Sequence, residues 1–200
     1  MSPRMDVSEE RKSQILQAAK EIFTKRGFHN TRMSDIAQES GLSKGALYWY
    51  FDSKDAIILS LLKKVFEPEI EDLESLLEDD RSTEDRLLAY AEKGAEDILN
   101  MLKWMPLVYE FLVLAFRRKS IKKILSSFYK RNMDLLEKLI QQGMDSGEFQ
   151  ASSAQEAAIA MGAIIEGTIM LWMYDPEGID IKGHILSSTQ LLLSGLRTSE

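Results

Sequence analysis

The sequence predicts an all-α protein: an N-terminal three-helix helix-turn-helix domain, joined by a long helix to a helical bundle, with about nine helices in all. Three observations carry this. Apolar residues recur at helical spacing along the whole chain, and no alternating strand pattern interrupts them. Capping serines and stop glycines fall at the ends of those periodic stretches. Between two short stretches stands Ser40-Gly41-Leu42-Ser43, a tight helix-to-helix turn. Gly41 supplies the left-handed stop that disfavours a Cβ, Leu42 plugs the turn, and the Ser43 oxygen caps the next helix.

The first helix is expected over about Glu9–Arg26, with Ser8 as its cap and Glu9 and Glu10 in its positive first turn. Ile15, Ala19, Ile22 and Phe23 form its buried stripe, and Gly27 ends it. The two short helices follow as about Ser34–Ser40 and Lys44–Tyr50. Ser53 caps a long helix over roughly Lys54–Glu78, whose inner face is Ile57, Ile58, Leu61, Leu62, Val65 and Phe66 and whose far half is acidic. Five further helices are expected. Ser82 or Thr83 opens one that runs to about Met101, and Pro106 sits in the first turn of the next, which carries Leu107–Phe116 and ends in Arg117-Arg118-Lys119. Another spans about Ile121–Asp145 and stops near Gly147. Ser153 and Glu156 have capping-box spacing for a helix to about Tyr174. After the turn Asp175-Pro176-Glu177-Gly178, the last helix runs about Ile181–Leu196. The domains expected are 1–53 and 54–200, the connecting helix starting at residue 54.

Composition narrows the function classes. The 200 residues are 44% apolar and 28% charged, as in ordinary globular proteins, and hold no cysteine, which excludes disulfides, thiolate metal sites and cysteine nucleophiles. Met1–Ser13 is short, polar and mixed in charge, unlike a signal segment. The longest apolar run, Ala157–Tyr174, is broken by Glu166 and Thr168 and reads as a buried helix, so no membrane partner is expected and the location expected is cytoplasmic. The net charge of −7 divides unevenly: residues 1–55 hold nine Lys/Arg against eight Asp/Glu, and residues 56–200 hold sixteen against twenty-four. Screening confines the reach of charge to about 8–10 Å, so a nearly neutral N-terminal end can present local positive potential to phosphates. The two histidines, His29 and His184, are far apart in sequence, no nucleophile comes with an evident base, and no glycine-rich loop follows a strand. Neither metal, cofactor nor catalysis is expected.

Gly27-Phe28, Thr31, Asp35-Ile36-Ala37, Gly41-Leu42-Ser43-Lys44-Gly45, Leu47-Tyr48, Tyr50-Phe51 and Lys54 form a series of glycines, caps and aromatics at fixed spacing. In this series the chain resembles the TetR family of bacterial transcriptional regulators. The motif covers residues 11–57; beyond residue 60 only the architecture is similar. The resemblance implies a homodimeric repressor with an N-terminal DNA-binding domain and a variable C-terminal domain for ligand binding and dimerisation.

Ser43, Lys44 and Gly45 open the second short helix, where backbone N–H groups, a hydroxyl and an ammonium suit phosphate, and Gly45 lets the backbone approach closely. Tyr48 and Tyr50 offer phenolic donors, and Trp49 and Ala46 offer apolar contacts to sugar or a thymine methyl group. Lys54 is a candidate phosphate clamp, and Arg32 either a phosphate ligand or a solvated side chain. Leu47 and Phe51 fall on the opposite face, as core.

Trp104, Tyr109, Phe111, Phe128, Met133, Glu166, Met170 and Met173 are candidate ligand-binding residues, since aromatics and methionines collectively make adaptable walls, although any one of these apolar side chains taken alone reads more readily as ordinary core. Glu166 suits either a cationic ligand or a structural bond; Glu110 suits the structural role. Ala163 and Gly167 in the penultimate helix, with Ile185, Leu192 and Leu196 in the last, are candidate dimer contacts, because the family likeness implies a four-helix interface there. The leading expectation is a repressor of a palindromic DNA operator, released by an unidentified small hydrophobic or amphipathic inducer. Alternatives are an all-helical carrier or enzyme using the C-terminal pocket, and a ligand-independent regulator or activator.

Overall fold

In a computed structural model that describes residues 7–197, these residues form nine α-helices, one 3-10 turn at Leu102–Trp104 and no named strand. The helices are α1 (Val7–Arg26), α2 (Met33–Glu39), α3 (Lys44–Tyr50), α4 (Lys54–Leu76), α5 (Thr83–Met101), α6 (Met105–Ala115), α7 (Lys119–Asp145), α8 (Ala154–Tyr174) and α9 (Ile181–Leu196). Residues 1–6, the start of the polar Met1–Ser13 segment, lie outside the described residues. Helix α1 already includes Val7, so Ser8 stands inside it and is not its cap. Four expected caps are present: the hydroxyls of Ser43, Ser53, Ser82 and Ser153 accept from the N–H groups of Ala46, Ala56, Asp85 and Glu156. Gly27, Gly41 and Gly147 take the left-handed conformation, with φ of 75°, 68° and 81°.

The chain packs as two compact units. One runs to Phe66 and includes Lys103–Ser126; the other comprises Glu67–Leu102 and the chain from Ser127 onward. Packing thus divides the chain differently from the sequence boundary at 53/54, because α6 and the start of α7 join the N-terminal helices. The core of the first unit gathers Ile15, Phe23, Phe28, Ile36, Leu47, Phe51, Ile57 and Ile58 with Leu107, Phe111, Leu114 and Ile121. Three rings lock its centre: Phe23 meets Phe28 at 5.5 Å, and Phe111 meets both nearly edge-on at 6.1 and 6.5 Å.

In the second unit α9 packs on α5 and α8, burying Ile185 and Leu193 completely or nearly so. Glu148 closes the start of α5: its carboxylate accepts from the Thr83 N–H at 2.7 Å and the Thr83 hydroxyl at 3.1 Å, the placement that a positive helix terminus favours. Helix α8 is long and apolar enough to cross a membrane by composition alone. It buries Ala154, Ala157, Ala158, Met161, Thr168 and Ile169 within the unit, while Ile159, Met170, Leu171 and Met173 remain exposed.

Candidate functional site

The recognition elements are built on a rigid base. Helix α2 ends at Ser40, whose carbonyl accepts from the Gln14 amide at 2.6 Å, tying the turn to α1. The Gly41 and Leu42 N–H groups bond back to the Gln38 and Ala37 carbonyls, at 3.1 and 3.0 Å. This fixes where α3 starts, and the Ser43 hydroxyl caps it at 3.1 Å. Leu47 is fully buried and Phe51 nearly so, anchoring one side of α3 in the core. The other side carries Tyr48 and Trp49, large aromatics 45% and 74% exposed. The Trp49 and Tyr50 rings stand nearly perpendicular with centres 4.6 Å apart, and the Lys44 ammonium lies 5.9 Å from the Tyr48 ring centre. Ser43, Lys44 and Gly45 are exposed; a Cβ at Gly45 would meet only the Ser43 hydroxyl, at 4.0 Å. Ala46 is half-buried.

Arg32 occupies the N-cap of α2 with an exposed side chain. A guanidinium has no acceptor, so the cap works in the other direction, with the Arg32 N–H donating to Asp35 Oδ2 at 2.8 Å. Lys54 differs from expectation. Its ammonium donates to the carbonyls of Phe28 and Thr31 at 2.7 and 2.6 Å and lies 4.2 Å from the Phe28 ring centre. Burial, and then the charge of Arg118, hold its pKa below the usual lysine value. Two of its three donors are committed to the first unit, so Lys54 is a tie within the head rather than a free clamp.

Sequence reasoning missed a cleft in the second unit that joins apolar walls to polar groups. It has a volume of about 190 Å³ and lies between α4 and α5, lined by Glu69, Asp72, Leu76, Tyr90, Lys93 and Asp97 among others. The Tyr90 hydroxyl donates to Glu69 at 3.2 Å, and the Asn132 amide donates to Glu69 at 3.0 Å and to the Tyr90 oxygen at 3.2 Å. Burial raises the Glu69 carboxyl; the Tyr90 bond opposes this, and the charges of Glu166 and Asp97 add to it. Burial, with the neighbouring Glu69 charge, raises the Tyr90 phenol and keeps it neutral. The available signal was the polar interruption of two apolar stripes, Glu69 beside Phe66, Ile70 and Leu73 on α4 and Tyr90 beside Leu87 and Ala91 on α5.

Residues 15–61 match the sequence profile described as bacterial regulatory proteins, tetR family, and residues 86–180 match a tetracyclin repressor-like C-terminal domain. The chain belongs to the tetR family. Among its relatives, the uncharacterized HTH-type transcriptional regulator YfiR of Bacillus subtilis is 29% identical over the full length of both chains. The HTH-type transcriptional regulator TtgR of Pseudomonas putida is 28% identical over 96% of this chain and 94% of its own. SmeT, the repressor of the Stenotrophomonas maltophilia multidrug efflux pump SmeDEF, has the same fold: its TM-score is 0.79 at 20% identity, over 94% of this chain and 91% of its own. A SmeT–triclosan complex is similar too, with a TM-score of 0.78 at 21% identity, over 95% of this chain and 93% of its own. The matched family is one of bacterial regulatory proteins, and as a member this chain is a transcriptional regulator rather than an enzyme.

The remaining candidates of this tetR-family protein are dispersed. Trp104, Tyr109 and Phe111 belong to the first unit; Phe128, Met133, Glu166, Met170 and Met173 belong to the second. Phe111 is 3% exposed and is core among Phe23 and Phe28, not a pocket wall, because its ring completes that cluster. Trp104 is half-buried beneath the Lys20 ammonium, 4.0 Å from its ring centre. Met133 is half-buried, its methyl 3.1 Å from where a Cβ at Gly162 would stand. Met170 and Met173 are exposed, at helical spacing from Ala163 and Gly167. Glu166 is exposed in a single protomer, and its charge acts on Glu69. Of the dimer candidates, Ala163 is exposed and Gly167, Leu192 and Leu196 are half-exposed. Ile185 is a correction: it is fully buried within one protomer and has no surface to offer a partner.

Proposed function

We propose that the protein is a homodimeric repressor of a palindromic operator and that a small amphipathic ligand releases it. The observation that carries the reading is α3: one side anchored by Leu47 and Phe51, the other presenting Lys44, Tyr48 and Trp49 beside a capped N-terminus. A helix held this way enters a major groove, with Ser43, Lys44, Gly45, Tyr48 and Tyr50 at phosphates and Ala46 and Trp49 at sugar or thymine methyl groups. Arg32 adds a phosphate contact from the start of α2. Little polar base-reading chemistry remains, so backbone register and DNA shape supply much of the specificity.

The α8 stripe of exposed Ile159, Ala163 and Met170 supports pairing with a second copy, joined by the half-exposed Gly167, Leu192 and Leu196. Two-fold pairing places two α3 helices for two half-sites. The cleft beside Glu69, Tyr90 and Asn132 supports a ligand with a polar end and an apolar body, and the SmeT–triclosan complex is a precedent for small-molecule binding on this fold. By linkage, such a ligand and the operator weaken each other's binding by the same factor. Gel shifts with DNA upstream of the protein's own gene test the reading. Salt-dependent binding that Lys44→Ala weakens supports it; binding to no neighbouring promoter overturns it.

A further inference from the structure

Helix α6 holds the loop between α1 and α2 through one residue, Phe28. Both Glu110 carboxylate oxygens accept from the Phe28 N–H, at 3.0 and 3.1 Å. That N–H follows the left-handed Gly27 at the end of α1 and precedes α2, so neither helix uses it. The Phe28 carbonyl is taken by Lys54 of α4, and the Thr31 hydroxyl closes the same loop by donating to the Gly27 carbonyl at 2.8 Å. The Phe28 ring is 1% exposed, with the Lys54 ammonium at 4.2 Å and the Arg118 guanidinium at 5.3 Å. Arg118, just beyond α6, is itself paired with Asp55 in the first turn of α4. On α6, Leu107, Phe111 and Leu114 lie in the head core, and Glu110 is the charged group on that face.

An apolar face alone allows a helix to slide, whereas a charge-assisted bond to a backbone N–H fixes its register. We propose that Glu110 is a positioning residue for DNA recognition: its bond to Phe28 transmits the placement of α6 to the loop from which α2 and α3 are hung. Helix α6 is joined in the chain to α5 through Leu102–Trp104, and α7 follows it, while its bond to Phe28 lies within the first unit. This rests on the dimeric-operator reading, in which the separation of two heads decides affinity.

The test uses the full chain and a palindrome selected from random DNA by the wild-type protein. Affinity is measured by fluorescence anisotropy on that palindrome and on versions with the central spacer lengthened or shortened by one or two base pairs. Leu47→Ala serves as a control that loosens the head without touching the joint. Wild type is expected to prefer one spacing. Glu110→Gln keeps the size and an acceptor but loses the charge; on the preferred spacing it is expected to lose about tenfold, the scale of one bond to a charged group. On shifted spacings it loses less, so the ranking flattens, and Arg118→Gln flattens it in the same direction. Leu47→Ala lowers all spacings together. Should Glu110→Ala fail to fold, Glu110→Gln and Arg118→Gln still decide the outcome. A Glu110→Gln protein that keeps the wild-type ranking overturns the positioning role while leaving the operator reading intact. A wild type without any spacing preference overturns the operator reading, and the positioning role with it.

Discussion

Gly45 and Leu47 stand two residues apart on α3 and are expected to respond to alanine in opposite ways. A Cβ at Gly45 meets only the Ser43 hydroxyl, at an ordinary contact distance of 4.0 Å, so Gly45→Ala should stabilise the protein by about 0.5–1 kcal/mol, the usual helix-propensity difference. If DNA backbone approaches there, operator affinity falls at the same time, and thermal melts set beside binding isotherms show the two effects diverging. Leu47→Ala empties a fully buried site and should cost about 2–5 kcal/mol, with affinity lost only through folding. Lys44→Ala removes one ammonium from the phosphate contacts and should reduce the slope of log affinity against log salt by about 1. At this scale the sequence was legible wherever spacing alone decides: Leu47 and Phe51 fall inward because they are four residues apart. Lys54 was not legible, because its partners, the Phe28 and Thr31 carbonyls, are more than twenty positions away and nothing in their side chains announces them. Glu110, read as a structural carboxylate, does satisfy a backbone donor.

Among the elements, the boundaries follow the caps closely. Ser43, Ser82 and Ser153 start their helices where a hydroxyl before an apolar-periodic stretch says they should, whereas Ser8 has the same chemistry without the position. Helix α4 runs unbroken through Pro68, although proline removes a donor and crowds the preceding turn. The cleft was illegible for a different reason. Glu69, Tyr90 and Asn132 come from three helices, and only packing brings them within hydrogen-bond distance. Their arrangement has a consequence for pH. Because burial raises the Glu69 carboxyl above 4.5, the folded protein holds that proton more tightly than the unfolded chain does. Stability is therefore lost as pH climbs from 4.5 through the raised folded value, and regained on acidification. Glu69→Gln keeps an acceptor for Tyr90 without the buried charge. Its melting temperature should exceed that of wild type near neutral pH, and the two should converge in acid; parallel curves across that range contradict the assignment.

For the whole molecule, nine Lys/Arg against eight Asp/Glu leave the first 55 residues slightly positive, and sixteen against twenty-four make the rest more negative than the overall −7. That division lets an acidic chain bring a helix to DNA, since only charge within about 10 Å of a phosphate acts on it strongly. The assembly was legible only in part. Apolar surplus in the last two helices pointed to a partner, but which side of α9 is spent inside the protomer depends on packing against α5, and Ile185 proved to be inside. Met170→Glu, placed on the exposed stripe of α8, should shift sedimentation towards the monomer and weaken operator binding in step, while leaving the circular-dichroism helix signal unchanged. The central claim, that two copies of α3 read an operator, is tested most directly by hydroxyl-radical footprinting on DNA upstream of the protein's own gene. The expected result is two protected half-sites about one helical turn apart, related by a two-fold axis, and lost together in Lys44→Ala and Tyr48→Phe as salt is raised. A footprint that both substitutions leave unchanged, or no footprint at all, would contradict it.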